Sequence, residues 1–274
     1  MAQNQPVERF EVSLNTPAGQ CTSPLNVPTG LVPVTALVPS LRRLGEQAQA
    51  LEERRTVDAG AAISCRKGCA ACCRMLVPIS APEAFALRDS IQALPESRRA
   101  TILQRVTEAR TRLEQAGLLA RLIDLAETER QLLDDEFEAT NRDYYALRLP
   151  CPFLENEACS IYEDRPAACR ELLVTTPAEL CQDLARNPVR PLPVAVRMST
   201  ALALWWSELV GGPARLIPLP LALEWADRHA AEGNRTWPGP QLLDKALDKV
   251  WRLLSEAFAH QPGTPTGKLP QGPT

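Results

Sequence analysis

A chain of 274 residues with 45% hydrophobic and 23% charged residues has the composition of a globular protein, and it is long enough to bury a core without staples. Its 33 acidic and 30 basic residues leave a net charge of -3, so no charge bias points to nucleic acid or a membrane surface as a partner. The greasiest stretches, Leu216–Leu223 and Met198–Trp206, are far shorter than the roughly 18 apolar residues of a transmembrane helix. The start, Met1–Phe10, carries Glu8 and lacks a basic region followed by an apolar one. It does not read as a secretory signal, and a cytoplasmic protein is the expectation.

In chain order, residues 1–33 are rich in Pro, Thr and Asn and read as an extended arm. Phe10–Leu14 alternates in polarity and suggests a short β-hairpin. Leu37, Leu41, Leu44 and Leu51 predict a helix through about residue 55. Ser80-Ala81-Pro82-Glu83 is a capping box that opens a helix reaching Leu94. Ile102, Val106, Ala109 and Leu113 form an apolar stripe, and Leu118–Thr140 continues it through Leu122, Leu125, Leu132 and Leu133. Residues 151–181 are loop-rich and punctuated by Pro152, Pro166 and Pro177. Apolar helices follow near 195–210 and 221–231, then a last helix with Leu243, Leu247, Val250, Leu254 and Phe258 on one face. Residues 261–274 hold four Pro and three Gly and read as a disordered tail. The expected fold is mainly α: one irregular helical domain over 34–260 around a Cys-rich metal site.

The nine cysteines are the chemical signal. In a reducing compartment, dense thiols bind metal more often than they pair as disulfides, and an odd number suits a disulfide framework poorly. Four of them, Cys65, Cys69, Cys72 and Cys73, fall within nine residues. They share one face if the segment is helical, and a loop broken at Gly68 still converges them. Cys151, Cys159, Cys169 and Cys181 follow at spacings that match neither zinc knuckles nor ferredoxin runs. Adjacent thiols such as Cys72 and Cys73 rarely ligate one tetrahedral ion together, so two sites, a polynuclear cluster, or one ligand beside a packed thiol all remain open. Eight thiols would fill two four-coordinate positions. Cys21, alone on the arm, reads as a packed thiol. His229 and His260 lie far from both Cys groups in sequence, and neither reads as a ligand.

Arg66, Lys67, Arg74, Arg165 and Arg170 flank the thiols and are placed to offset thiolate charge or donate hydrogen bonds to sulfur. Tyr162 reads as packing over the site and Arg165 as bracing its loop, so no catalytic residue is assigned. Trp205, Trp206, Trp225 and Trp251 read as core, and Asp134, Asp135, Glu136 and Glu138 as a solvated helix face.

The run Cys65–Cys73, the tetrapeptide Cys151-Pro-Phe-Leu, the segment Cys159-Ser-Ile-Tyr162 and the segment Arg165-Pro-Ala-Ala-Cys169-Arg170 resemble the YkgJ-type cysteine-cluster family, also described as CxxCxxCC. The resemblance covers roughly residues 60–181 and implies chelation of zinc or iron. It also touches flagellin lysine N-methylases, whose Cys motif is similar, although no glycine-rich loop for a methyl donor is present. Three functions follow: a protein holding iron, as an iron–sulfur cluster or iron site, for redox or modification chemistry; a non-catalytic zinc-stabilised binding protein; and a methylase-like enzyme. The Cys65–Cys73 and Cys151–Cys169 groups are expected to meet in space, with residues 74–150 as an excursion between them.

Overall fold

The structure, a computed structural model, describes residues 6–130, 134–182 and 186–259. Two ten-residue strands, β1 (Val7–Thr16) and β2 (Gly19–Pro28), form an antiparallel ribbon in which Val12 pairs with Ser23 and Leu14 with Cys21. The arm is therefore a long hairpin, of which Phe10–Leu14 is only the middle. Its turn uses Gly19 at φ +130 with the Thr16 hydroxyl donating to the Gly19 carbonyl at 2.8 Å. Alternate residues Val12, Leu14, Leu25 and Val27 are buried, so period-two patterning lays one face of the ribbon on the helices. Pro24 and Pro28 are tolerated because a two-stranded ribbon leaves free edges.

β3 (Leu31–Val32) leads into α1 (Val38–Asp58), which buries Val38, Leu41, Leu44 and Ala48. The first Cys group follows as turns. It is no continuous helix: Gly68 adopts φ +90, and Ala71–Arg74 form a single 3-10 turn. β4 (Pro78–Ile79) leads into α2 (Ala81–Gln92), opened by the expected capping box. α2 is the most enclosed helix, with Phe85 against Trp206 and Trp225 at 5.4 Å each.

The excursion comprises α3 (Glu96–Gln115), α4 (Leu119–Glu127) and α5 (Asp134–Ala146). Ala109, Leu113, Leu118, Leu122 and Tyr144 join in a second apolar cluster. The stretch expected to run on from Leu118 to Thr140 is broken, because α4 ends at Glu127. Leu132 and Leu133 lie outside the described residues, and the side chains of Asp134, Asp135 and Glu136 are not described, while Glu138 is exposed as expected.

β5 (Leu154–Glu155) and β6 (Ala158–Cys159) form a tight hairpin whose two-residue turn, Asn156-Glu157, has both residues at positive φ. Its first residue suits that conformation and its second does not. α6 (Ala167–Glu171), α7 (Met198–Val210) and β7 (Ile217–Pro218) follow, then α8 (Ala222–Arg228) and α9 (Ala230–Gly233) where a single helix over 221–231 was expected. β7 pairs with β4, and β8 (Trp237–Pro238) pairs with β3. The last helix, α10 (Gly239–Ala259), buries Leu243, Leu247, Val250 and Leu254.

Two aromatic expectations need correction. Trp251 is 47% exposed and Phe258 39%, whereas Trp205, Trp206 and Trp225 are fully enclosed. Trp251 directly follows the buried Val250, and one residue is a 100° turn of the helix, which carries it off the apolar stripe. The architecture is mainly α with small two-stranded sheets, as the patterning predicts. His260 and the expected tail, 261–274, lie outside the described residues.

Candidate metal centre

The two Cys groups meet. The Cys151 N–H donates to the Cys73 carbonyl at 2.8 Å, although 77 residues separate the two in the chain. From this junction six thiols, Cys69, Cys72, Cys73, Cys151, Cys159 and Cys169, line one cavity of about 170 Å³. Met75, Val77, Phe153, Ile161 and Leu219 supply its apolar walls.

Each wall has a local cause. The left-handed Gly68 turns the chain so that Cys69 and the 3-10 turn carrying Cys72 and Cys73 face the same way. The β5–β6 hairpin aligns Leu154 with Cys159 and holds Cys159 close to Cys151. Cys169 sits on α6, whose start is fixed by a group from another helix: Glu83 of α2 accepts the Ala167 N–H at 2.6 Å.

The remaining two predicted thiols stand outside that cavity. Cys65 lines an adjoining pocket, and its Sγ accepts the Val174 N–H at 3.3 Å. Cys181 is buried in a 3-10 turn, Ala178–Gln182, where the charges of Cys65, Cys72 and Cys69 act on it. Cys72 lies between the groups, since its charge acts on Cys65 and Cys181 as well as on Cys151, Cys159 and Cys169. Cys21 packs on the main core from β2, as its isolation in the chain implies.

Burial makes most of these thiols costly to ionise. Burial pushes Cys151 up to about 12 and Cys169 well above the ordinary thiol range; it also raises Cys65, Cys159 and Cys181. Cys72 is the exception. A hydrogen bond from the neighbouring Cys73 thiol lowers it to about 7, and the same bond raises Cys73. Thiolates become favourable in such a place only with a positive charge among them.

Fixed cations supply part of that charge. Arg165 and Lys67 both stand over the Tyr162 ring, at 4.0 and 5.1 Å from its centre, so cations from the two Cys groups meet on one aromatic ring. Arg170 pairs with Glu46 and donates to the carbonyls of Arg165, Tyr162 and Glu163 at 2.9, 3.2 and 2.5 Å, which stiffens the loop before Cys169. Arg74 makes a two-pronged pair with Glu157 at 2.7 and 3.2 Å, tying the first Cys group to the β5–β6 turn. Four of the five flanking cations therefore hold the two groups together or brace their loops by named contacts. Arg66 is exposed at the rim of an open cleft beside Cys69.

Several supporting residues carry no motif in the sequence. Arg42 of α1 is buried and donates to the Asp164 and Arg165 carbonyls at 2.6 and 3.2 Å. Glu171 accepts the Ser199 N–H and hydroxyl at 2.8 and 2.6 Å, fastening α6 to α7. Glu155 joins the hairpin to Arg98 and Arg105 of α3 at 2.5 and 3.0 Å. His229 is remote from the thiols: its Nδ1 meets the Trp225 carbonyl at 2.9 Å and its Nε2 meets Glu127 at 3.2 Å.

The donor chemistry fits a thiophilic metal, with six sulfurs, no histidine, and walls dry enough to keep thiolate–metal bonds from water. Among the described residues, however, no three His, Cys, Asp or Glu side chains form a ready cage for a single ion. Four thiolates around one zinc at about 2.3 Å would leave no room between them. The cavity between these six is wider than that.

Residues 64–184, somewhat under half of the chain, match the CxxCxxCC family model, described as "Putative zinc- or iron-chelating domain". No curated protein and no solved structure gives a significant match.

Proposed function

We propose that the protein holds iron as an iron–sulfur cluster through thiolates of Cys69, Cys72, Cys73, Cys151, Cys159 and Cys169, with Cys65 and Cys181 as further thiolate ligands at the Cys72 side; the match of residues 64–184 to the CxxCxxCC family model supports metal chelation by this segment. One observation carries this reading: six thiols from two distant segments line one cavity of about 170 Å³. A lone ion would require that cavity to collapse to a four-sulfur cage, whereas a polynuclear group, itself held by four thiolates, fills the wider space between them.

The division of labour follows from the neighbours of each thiol. Cys69, Cys72, Cys73, Cys151, Cys159 and Cys169 face the cavity, and Cys65 and Cys181 stand beyond it on the Cys72 side. A bound cluster would supply one-electron chemistry. The chain's own residues set its surroundings. Phe153, Ile161 and Leu219 exclude water, Arg165 and Lys67 balance thiolate charge, and the braces from Arg42, Glu83 and Glu171 fix where Cys169 stands.

Anaerobic purification with iron, zinc and sulfide analysis tests the proposal. Stoichiometric iron and sulfide with broad visible absorption that bleaches on reduction supports it. A colourless protein with zinc and no sulfide replaces it with a zinc-stabilised binding protein.

A further inference from the structure

Beside the thiol cavity lies a second, more polar pocket of about 240 Å³. One wall is a face of α1, carrying Arg42, Glu46, Gln49 and Glu53; the other is the segment that carries Tyr162, Arg165 and Arg170, with Cys65 in the lining. Tyr162 and Arg165 line both cavities and so form the partition between them. The pocket is smaller than the roughly 300 Å³ at which drug-sized sites begin, which suits a small metabolite.

Most of its polar groups already have partners inside the protein. Arg42 pairs with Asp164 at 3.7 Å, Arg170 pairs with Glu46, and Glu171 is hydrogen-bonded by Ser199. The Gln49 amide donates to the Pro193 carbonyl at 3.1 Å and accepts the Ala195 N–H at 3.1 Å. Two groups have no direct ion-pair partner or hydrogen bond among the described residues, although the Arg165 charge also acts on the nearby Cys65, Cys72 and Cys159 thiols. The Arg165 guanidinium stacks on Tyr162, its buried Nε has no hydrogen-bond partner, and it makes no ion pair among the described residues. Glu53 is half-buried with no basic partner among the described residues, and burial alone pushes its carboxyl up. A guanidinium without an ion pair and a part-buried carboxyl without a cation both leave charge unmatched in the lining, and a ligand that carries both opposite charges meets both.

We propose that this pocket binds a small zwitterion of the α-amino-acid class, its carboxylate on Arg165 and its ammonium on Glu53. Guanidinium and carboxylate match as a planar fork, which stacking on Tyr162 pre-orients. The bound molecule lies against Cys65 and the partition, within reach of whatever the thiols hold. The site stands on its own residues and does not require that the thiols carry a cluster.

The test is calorimetric titration of the full chain, purified anaerobically, with metal content measured on the same sample. The probes are the twenty common amino acids, acetate, methylamine and inorganic phosphate. At least one amino acid is expected to bind, at least tenfold tighter than acetate or methylamine. Arg165→Gln should weaken that amino acid and acetate alike, by roughly tenfold to a hundredfold. Glu53→Gln should weaken the amino acid by a similar factor and leave acetate unchanged, which separates a lost ammonium contact from a misfolded pocket. No binding by any amino acid at 10 mM, roughly the weakest useful affinity, overturns the inference. So does phosphate or acetate binding as tightly as the best amino acid, or a Glu53→Gln variant that binds it unchanged. A protein free of metal that still binds the amino acid keeps this inference and removes the cluster.

Discussion

Replacing Glu83 with Ala should loosen the fold and the thiol cavity together. This carboxylate lies on the third residue of α2 yet serves two helix starts. It receives the Ser80 N–H and hydroxyl at 3.4 and 3.0 Å, and with its other oxygen the Ala167 N–H at 2.6 Å. Loss of the cap costs about 1 kcal/mol, and stranding the buried Ala167 N–H costs about 1–3 kcal/mol. Relief of burying the carboxylate returns part of this, so a net loss of about 2–3 kcal/mol is expected. Glu83→Gln keeps one acceptor oxygen and should lose less. The sign of the pH effect follows from burial, which raises the Glu83 carboxyl above its unfolded value. The folded state then binds the proton more tightly, so this residue's contribution is full below the unfolded pKa near 4.3 and declines as pH rises through the folded value. The stability of the native protein relative to Glu83→Gln should therefore fall as pH rises. Urea unfolding followed by the fluorescence of Trp206 and Trp225, which flank Phe85 of α2, measures both effects. An Ala variant within 0.5 kcal/mol, roughly the scatter of surface substitutions, would refute the bracing argument, as would a Gln difference that runs the other way with pH.

Three further outcomes are expected. Arg98 and Arg105 hold Glu155 near 2, so the native fold's advantage over Glu155→Gln should be full above about pH 4.5 and vanish as pH falls through 2; acid unfolding curves of the two that coincide would remove the α3–hairpin clamp. In metal-free protein, Cys72, held near 7 by the Cys73 thiol, should be alkylated by iodoacetamide at neutral pH well before Cys151 or Cys169, and peptide mapping that finds the reverse order would count against the Cys72–Cys73 hydrogen bond. A Cβ on Gly239 would stand 1.8 Å from the Pro28 carbonyl oxygen, so Gly239→Ala should cost about 1–3 kcal/mol by pushing α10 off the hairpin, and an unchanged melting temperature would show that the approach is looser than this.

Much of the fold is legible because its signals are local. The Ser80–Glu83 capping box, the Leu243–Leu254 stripe and the alternation about Phe10–Leu14 each state a period or a cap within a few residues. The break between α4 and α5 and the exposure of Trp251 were not legible, since neighbouring helices decide which apolar residues of a long stripe are covered. The thiols could be found by type and spacing, and a shared ligand was the reason to expect that they meet. Their division was hidden: nothing in Cys65–Cys73 says that Cys65 turns into the next pocket. The supports were hidden for a related reason. Glu83 reads as a cap, but its second oxygen acts on Ala167, 84 residues away, and Arg42 reads as one more helix charge.

The most direct measurement is metal and sulfide content of the anaerobically purified chain beside its Cys169→Ser and Cys21→Ser variants. Iron and sulfide should be stoichiometric in the native protein and in Cys21→Ser, and lost in Cys169→Ser along with stability, since metal binding is coupled to folding. Iron content and stability that survive unchanged in Cys169→Ser, or a native protein that folds fully with neither iron nor sulfide, would contradict the account.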